Sequence, residues 1–255
     1  MRYLLARANR DVLEQFACSR TLLAFDFDGT LAPIVRDPDQ AAMRPSTLRL
    51  LRELARAYPC VVISGRSRAD VLRRVRGVRF AEVVGNHGGE PWHASARARR
   101  EVRQWLTGLR DRLGGISGVL IEDKGVSLCL HYRRSRQKRR ARARILAAAA
   151  RLRGARVSEG KLVVNVVPAE APHKGQALVR LRAREGCDTA VYLGDDETDE
   201  DVFTLDQPGQ LLTVRVGRKL GSAAAYYIRR QTEVDRVLRG LLAFRSRPEG
   251  GSIGR

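Results

Sequence analysis

Two aspartates one residue apart, Asp26 and Asp28, stand where an apolar segment of the chain stops. The local sequence is Thr21-Leu-Leu-Ala-Phe-Asp-Phe-Asp28 followed by Gly-Thr30. A strand has a period of two, so both carboxylates leave it on the same side. Two carboxylates in a poorly solvated place repel each other unless a cation or a proton offsets their charge. The pair indicates acid–base or metal chemistry, and its simpler alternative is a turn whose aspartates cap backbone amides.

A second acidic segment begins after another apolar run. Gly194 is followed by Asp-Asp-Glu-Thr-Asp-Glu-Asp201, six acids in seven residues, although the net charge of the chain is +20. Asp195 comes first and is the best placed to meet Asp26 and Asp28. Three converging carboxylates suit a hard cation such as Mg²⁺. No histidine or cysteine cluster has the spacing of a zinc site.

Two shorter motifs could bind an anion such as phosphate. Ser64, Gly65 and Arg66 follow an apolar segment, and the hydroxyl and turn amides there could hold phosphate oxygens. Lys174 precedes Gly175 at the predicted start of a helix, where a cation is unfavourable unless an anion lies beside it. Only five of the 48 basic residues are lysines, which makes this position notable.

These motifs need elements that bring strand ends together. Apolar segments at residues 21–28, 60–64 and 81–84 alternate with helical patterns at 46–58 and 68–75. The same alternation returns late in the chain, with predicted strands at residues 189–194 and 211–216, and helices are predicted at 3–18 and 232–244. Strand–helix alternation predicts a parallel sheet, whose carboxyl-terminal edge carries the ligand crevice.

The pattern between these two parts differs. A helix at residues 95–113, a hairpin over 119–132, a basic helix at 135–152 and a hairpin over 156–166 predict a small α+β unit. We therefore expect an α/β fold with a Rossmann-like parallel-sheet core and an inserted cap. The expected division is core at 1–88 and 171–245, cap at 89–170 and a flexible tail at 246–255.

Composition narrows the class of protein. Apolar residues make up 44% of the chain and charged residues 30%, and no apolar run approaches the ~20 residues of a membrane span. With no signal-peptide pattern and four scattered cysteines, we expect a cytoplasmic protein with free thiols and no membrane partner. Twelve basic residues and no acid lie between Asp123 and Glu159. We interpret them as a solvated helix face, so nucleic acid is not an expected partner.

The ordered motifs resemble those of the haloacid dehalogenase superfamily of phosphohydrolases, and more closely the trehalose-6-phosphate phosphatase family. The general motifs are Asp26-Phe-Asp28-Gly-Thr30, Ser64-Gly65, Lys174-Gly175 and Gly194-Asp195-Asp196. The closer likeness comes from Ile63-Ser-Gly-Arg66, Gly85-Asn-His-Gly88, His131-Tyr-Arg133 and Gly194-Asp-Asp-Glu-Thr-Asp-Glu-Asp-Val-Phe203. The resemblance extends over about residues 10–244. It implies a haloacid dehalogenase-type core with a cap.

The resemblance also implies a mechanism and a cofactor. Asp26 would be the nucleophile that forms an aspartyl-phosphate, and Asp28 the general acid and then base. Ser64 and Lys174 would bind the transferring phosphoryl group. Mg²⁺ would be held by the Asp26 carboxylate, the Asp28 backbone carbonyl and Asp195, with two further aspartates in the outer shell or capping a helix: Asp196 and Asp199. The implied reaction is hydrolysis of trehalose 6-phosphate to trehalose and phosphate.

Sugar recognition would fall largely to the cap and to the loops beside it. By resemblance, the residues expected to bind substrate are Ser64, Gly65, Arg66, Asn86, His87, Glu122, Lys124, His131, Arg133, Lys161 and Asn165. Asn165 departs from the family, which usually has a glutamate there. A related substrate therefore stays open, such as a sucrose-, mannosyl- or glucosylglycerol-phosphate. The expected partner is a small sugar phosphate, and the expected state is a monomer or weak oligomer.

Overall fold

The computed structural model of the chain describes residues 1–93, 95–160, 162–205 and 207–246. Its larger sheet has seven strands, which are in chain order β1 (Arg2–Tyr3), β2 (Thr21–Phe25), β3 (Cys60–Ile63), β4 (Glu82–Val84), β9 (Thr189–Gly194), β10 (Leu211–Val216) and β11 (Tyr226–Ile228). All seven strands are parallel, and their order in the sheet is β1-β11-β10-β9-β2-β3-β4.

Helices cover both faces of this sheet. The helices of this part are α1 (Arg10–Cys18), α2 (Pro45–Ala57), α3 (Arg68–Arg74), α6 (Lys174–Arg184), α7 (Glu200–Phe203) and α8 (Val234–Arg245). Alternate residues of β2 face opposite layers, because strand side chains alternate. Leu23 and Phe25 pack in the cluster that includes α1, α2 and α8, whereas Leu22 and Ala24 pack with α6 and α7. The burial of both faces explains why β2 is a continuous apolar run.

A second, antiparallel sheet is inserted between β4 and α6. Its strands are β5 (Leu120–Asp123), β6 (Leu128–His131), β7 (Ala155–Gly160) and β8 (Val163–Pro168), in the order β5-β6-β8-β7. Two helices, α4 (Ala96–Leu113) and α5 (Lys138–Ala149), pack on one face against Leu128, Leu130, Val164 and Val166. The opposite face carries polar residues and meets the larger sheet's carboxyl-terminal edge.

The observed architecture confirms the predicted fold class, a parallel α/β core with an inserted α+β unit. The strands predicted at residues 189–194 and 211–216 have the predicted bounds. The predicted helix at 3–18 is wrong at its start, since Arg2–Tyr3 pairs with β11 and the helix begins at Arg10. The strand predicted at 21–28 ends at Phe25, and the basic helix is shorter than predicted.

The division into core (1–88 and 171–245) and cap (89–170) stays a proposal, which the two separate sheets support. The predicted flexible tail lies outside the described residues except for Ser246. In the part of the chain that the structure describes, no helix combines the length and apolar character that a membrane crossing needs.

Candidate active site

The candidate site is built around Asp26, which directly follows β2 and is buried. Its backbone N–H donates to the Leu193 carbonyl of β9 at 2.9 Å, which fixes the strand end. Its carboxylate accepts a hydrogen bond from Lys174 Nζ at 2.8 Å. Lys174 is the first residue of α6 and is only 2% exposed. The two motifs that the sequence separates by 148 residues therefore form one buried ion pair.

Asp199 anchors this centre from the other side. Its carboxylate is fully buried and accepts four hydrogen bonds. One oxygen accepts from Lys174 Nζ and from the Tyr192 hydroxyl, each at 2.7 Å. The other accepts the backbone N–H groups of Asp195 and Asp196, at 2.7 and 2.8 Å. Asp199 thus orients Lys174 and shapes the turn that presents Asp195.

Asp195 supplies the feature that fits a cation. Ligand oxygens of Asp26, Asp195 and Asp199 all lie within 4.8 Å of one another. Burial and the neighbouring carboxylates of Asp26 and Asp199 raise the pKa of Asp195 to about 9. Asp195 Oδ1 is buried and has no hydrogen-bond partner among the described residues. If all three carboxylates ionise against one lysine, they leave excess negative charge, which a divalent cation would offset.

The buried environment also shifts the pKa values of Asp26 and Lys174. Burial raises the pKa of Asp26 to about 8, against the lowering effect of Lys174. The pKa of Lys174 is raised because Asp199 and Asp26 outweigh the effect of its burial. The lysine therefore stays charged.

Close packing of the turns keeps the carboxylates together. Gly29 has a φ of +80°, and a Cβ there would lie 2.1 Å from an Asp195 oxygen. Gly175 faces the Asp201 carbonyl, which a Cβ would approach to 2.2 Å. Both glycines are required because no side chain fits, and Gly29 also has the left-handed backbone that glycine tolerates.

The Asp28 side chain forms an ion pair with Arg66, whereas Asp26 pairs with a lysine. Arg66 donates two hydrogen bonds to Asp28, from Nε to Oδ2 at 2.6 Å and from Nη2 to Oδ1 at 2.8 Å. Arg66 is itself held by Asp70 at 2.7 Å and by the Pro38 carbonyl at 2.7 Å. Burial opposes the charge of Arg66, but the carboxylates of Asp28 and Asp70 raise its pKa. Arg66, whose substrate binding stays a prediction, contacts Asp28, and the side chain of Asp28 is 41% exposed.

Ser64, Asn86 and His87 line the same edge after β3 and β4. Ser64 is buried, and its hydroxyl accepts the Arg66 N–H at 3.2 Å. His87 packs on Gly65, and both of its ring nitrogens are buried without a hydrogen-bond partner among the described residues. Burial and the charges of Lys174 and Lys124 lower the pKa of His87 well below its usual value. A neutral imidazole can both donate to and accept from a sugar hydroxyl.

Hydrogen bonds among the described residues join the cap to this edge, and three of them lie beside Gly65, Asn86 and Val35. Lys124 Nζ donates to the Gly65 carbonyl at 2.8 Å. The Ser127 hydroxyl donates to the Asn86 side-chain carbonyl at 2.8 Å. Arg133 Nη1 donates to the Val35 carbonyl at 3.2 Å. These bonds hold the polar face of the cap sheet over the carboxylates, and the region between these facing surfaces is called the cleft.

Other predicted sugar-binding residues lie on that same face. His131 Nε2 is 2.8 Å from a Glu122 oxygen, and Asn165 accepts the Cys129 thiol at 3.1 Å. Lys161 lies outside the described residues. The structure thus brings the catalytic and metal-binding candidates to one edge. Five of the predicted substrate-binding residues lie at that edge, and five more lie on the facing cap.

Sequence reasoning missed Arg215 and Tyr192. Arg215 Nη2 donates to the Asp195 carbonyl at 2.7 Å, and its Nη1 donates to the Asp196 carbonyl at 3.2 Å. It is the single charged residue in the apolar strand β10, and this exception in the sequence could have marked it as a candidate. Tyr192 gave no such signal, because an aromatic residue in a buried strand usually only packs.

The fold and the site define a haloacid dehalogenase-type α/β protein with a cap over an aspartate–lysine centre. The chain belongs to the trehalose-phosphatase family, whose model matches residues 24–222. It is 34% identical over 242 residues to a trehalose-phosphate phosphatase of Mycobacterium ulcerans, covering 89% of this chain and 58% of that protein. A Mycobacterium tuberculosis protein of the same name is 37% identical over 204 residues, covering 72% and 51%. The chain spans about half the length of these relatives.

Solved structures show the same fold. The C-terminal domain of Candida albicans trehalose-6-phosphate phosphatase superposes with a TM-score of 0.76 at 24% identity, covering 92% of this chain and 97% of that one. An Aspergillus fumigatus trehalose-6-phosphate phosphatase gives a TM-score of 0.60 at 26% identity, covering 95% and 100%. The predicted family is therefore confirmed.

Proposed function

We propose that this chain is a divalent-cation-dependent phosphatase that hydrolyses trehalose 6-phosphate to trehalose and phosphate through an aspartyl-phosphate. The observation that carries the proposal is the buried centre in which Lys174 joins Asp26 and Asp199 beside the unpartnered Asp195 oxygen. Membership of the trehalose-phosphatase family supports the choice of substrate. The proposed binding partner is therefore a small sugar phosphate.

Asp26 is the nucleophile in this proposal. One of its oxygens attacks phosphorus while the bond from phosphorus to the sugar oxygen breaks in line. Lys174 holds the other oxygen and so fixes the direction of attack. Its charge also attracts the phosphate dianion, and the Ser64 hydroxyl donates to a phosphoryl oxygen. Positioning of this kind supplies most of the catalysis in phosphoryl transfer.

Asp28 is the general acid and then the general base in this proposal. It donates a proton to the leaving sugar oxygen, and it then accepts one from the water that attacks phosphorus and releases the Asp26 carboxylate. Arg66 donates to both Asp28 oxygens and so holds this carboxylate in place before substrate binds. An incoming phosphate competes with Asp28 for Arg66, which frees Asp28 to contact the leaving oxygen.

The residues that would hold the cation are Asp26, Asp195 and the backbone carbonyl of Asp28, with Asp196 and Asp199 behind them. The all-oxygen side-chain donors fit Mg²⁺, which when bound would neutralise charge on the phosphoryl oxygens. Asp199 already has four hydrogen bonds, so its part is to orient Lys174 and the Asp195 turn.

Sugar selection belongs to the cap face that carries Glu122, Lys124, His131 and Asn165. Glycan hydroxyls need paired donors and acceptors, which these residues offer. Asn165 carries no charge where the family usually has glutamate, so a second candidate is the phosphate ester of another sugar: sucrose, a mannosyl or a glucosylglycerol compound. The phosphate chemistry is the same for both candidates.

A panel of phosphate esters tests the proposal. The purified chain is assayed with trehalose 6-phosphate, sucrose phosphate, glucosylglycerol phosphate and p-nitrophenyl phosphate, with Mg²⁺ and with a chelator. We expect the highest kcat/KM for trehalose 6-phosphate and no turnover without the cation. Equal low rates on every ester would overturn the substrate assignment, and equal rates with chelator would overturn the cation requirement.

A further inference from the structure

A row of polar side chains crosses the cap sheet on the face turned toward the cleft. Strand pairing sets Glu122 opposite Cys129, Cys129 opposite Asn165 and Asn165 opposite Ser158. Directly opposed residues share a face of the sheet. His131, two residues after Cys129, lies on this face as well. Four potential metal ligands from three neighbouring strands therefore point the same way.

Their ligand atoms are close together. The donor atoms of Glu122, Cys129 and His131 all lie within 4.8 Å of one another. His131 Nε2 is 2.8 Å from Glu122 Oε2, and Cys129 Sγ is 3.1 Å from the side-chain oxygen of Asn165. Zinc bonds of about 2.0–2.3 Å place the atoms of a tetrahedral site about 3.5 Å apart. Small side-chain shifts would therefore bring these donors onto one ion.

We propose that Glu122, Cys129 and His131 form a second metal site that takes Zn²⁺ or a similar transition-metal ion, with the Asn165 oxygen as a fourth donor. Thiolate and imidazole select such ions, whereas the carboxylates at Asp26 and Asp195 suit Mg²⁺. The chain would then hold two sites of different chemistry on opposite walls of one cleft.

A bound dication would meet both signs of charge in this region. A Cys129 thiolate and the Glu122 carboxylate would together carry two negative charges, and the Lys124 ammonium beside Cys129 carries one positive charge. An ion that binds the Cys129 sulfur would displace the thiol proton. Lys124 itself is tied to the Gly65 carbonyl at 2.8 Å.

The site has a consequence for catalysis, and this consequence rests on the proposed function. Glu122 and His131 are among the groups that the proposal assigns to the sugar. An ion bound to them removes these donors and acceptors from the substrate. Zn²⁺ should therefore inhibit by competing with the sugar phosphate, while Mg²⁺ stays at the Asp26 centre.

Cobalt substitution tests the site without any substrate. The full chain is stripped of metal and titrated with Co²⁺, and absorption is recorded for the thiolate-to-cobalt charge-transfer band. We expect one equivalent to produce the band. Cys129→Ser and the half-exposed His131→Gln should remove it or weaken Co²⁺ binding at least about tenfold. Cys187→Ser, a matched change of a thiol elsewhere, and Asp195→Asn should retain it.

No band in the native chain, a band that survives Cys129→Ser, or a band lost in Cys187→Ser overturns the proposal. A kinetic measurement follows with Zn²⁺ added at saturating Mg²⁺. We expect Cys129→Ser to need at least about ten times more Zn²⁺ for half inhibition. If the native chain turns over no phosphate ester, the proposed function fails, whereas the cobalt band still decides the metal site.

Discussion

Replacing Asp199 with asparagine should destabilise the protein strongly, because its carboxylate satisfies four buried donors. Asparagine has the same shape but only one oxygen. The amide nitrogen of asparagine donates hydrogen bonds and cannot accept them. It would have to face either two backbone N–H groups or the Lys174 ammonium and the Tyr192 hydroxyl. Hydrogen bonds to charged groups contribute about 1.5–3 kcal/mol each, and breaking a buried ion pair costs about 3–5 kcal/mol.

Part of this loss is offset, because Asp199→Asn relieves repulsion with Asp26 and Asp195. We therefore expect the free energy of unfolding to fall by about 3 kcal/mol, which lowers Tm by about 6–12 °C for a chain of this size. The assay is thermal unfolding followed by circular dichroism at pH 7. Glu197→Gln is the matched control, because this exposed carboxylate in the same turn forms an ion pair with exposed Lys219. The change should alter stability by under about 0.5 kcal/mol. A Tm for Asp199→Asn within about 2 °C of the native value would refute the reasoning.

Three further changes test other parts of the account. Arg66→Lys keeps the charge but loses the forked guanidinium group that binds both Asp28 oxygens. We therefore expect kcat to fall about tenfold with a smaller change in KM. Steady-state kinetics at constant Mg²⁺ measures both constants. Burial raises the pKa of Asp70, but hydrogen bonds from Arg74 and Arg66 outweigh it and lower the pKa to about 2. Asp70→Asn should therefore lose about 2 kcal/mol at pH 7, a difference that shrinks as pH falls from 5 toward 2 in denaturant titrations; a constant difference would contradict it. Asn165→Glu should move the preference among sugar phosphates about tenfold, whereas the uncharged Asn165→Gln should not, as kcat/KM ratios would show.

Much of the fold follows from local pattern. Strands β9 and β10 are buried apolar runs with clear ends, so their bounds could be predicted from the sequence. The bounds of the edge strand β1 and of its neighbour β11, which have two and three residues, could not be predicted. Their pairing depends on a long-range contact between the chain's beginning and its last part. Arg2–Tyr3 also continues a helical apolar spacing into Leu4, which hides the strand.

The candidate site, too, could be predicted only in part from the sequence. Asp26, Asp195 and Lys174 could be predicted to meet, because each lies at a strand or helix end that the topology brings to one edge. The Arg66–Asp28 pair could not, since it depends on a side-chain conformation. The row through Glu122, Cys129 and Asn165 depends on β6 pairing with β8, a register that turn residues alone do not determine.

The central claim is that Asp26 carries the phosphoryl group during turnover. The most direct measurement incubates the chain with trehalose 6-phosphate and Mg²⁺, quenches with acid, reduces acyl phosphates with borohydride and maps the modified residue by peptide mass spectrometry. We expect modification at Asp26 and none in Asp26→Asn, which should also lose at least about 10³-fold in turnover. Modification at another carboxylate, or near-native turnover by Asp26→Asn, would contradict it.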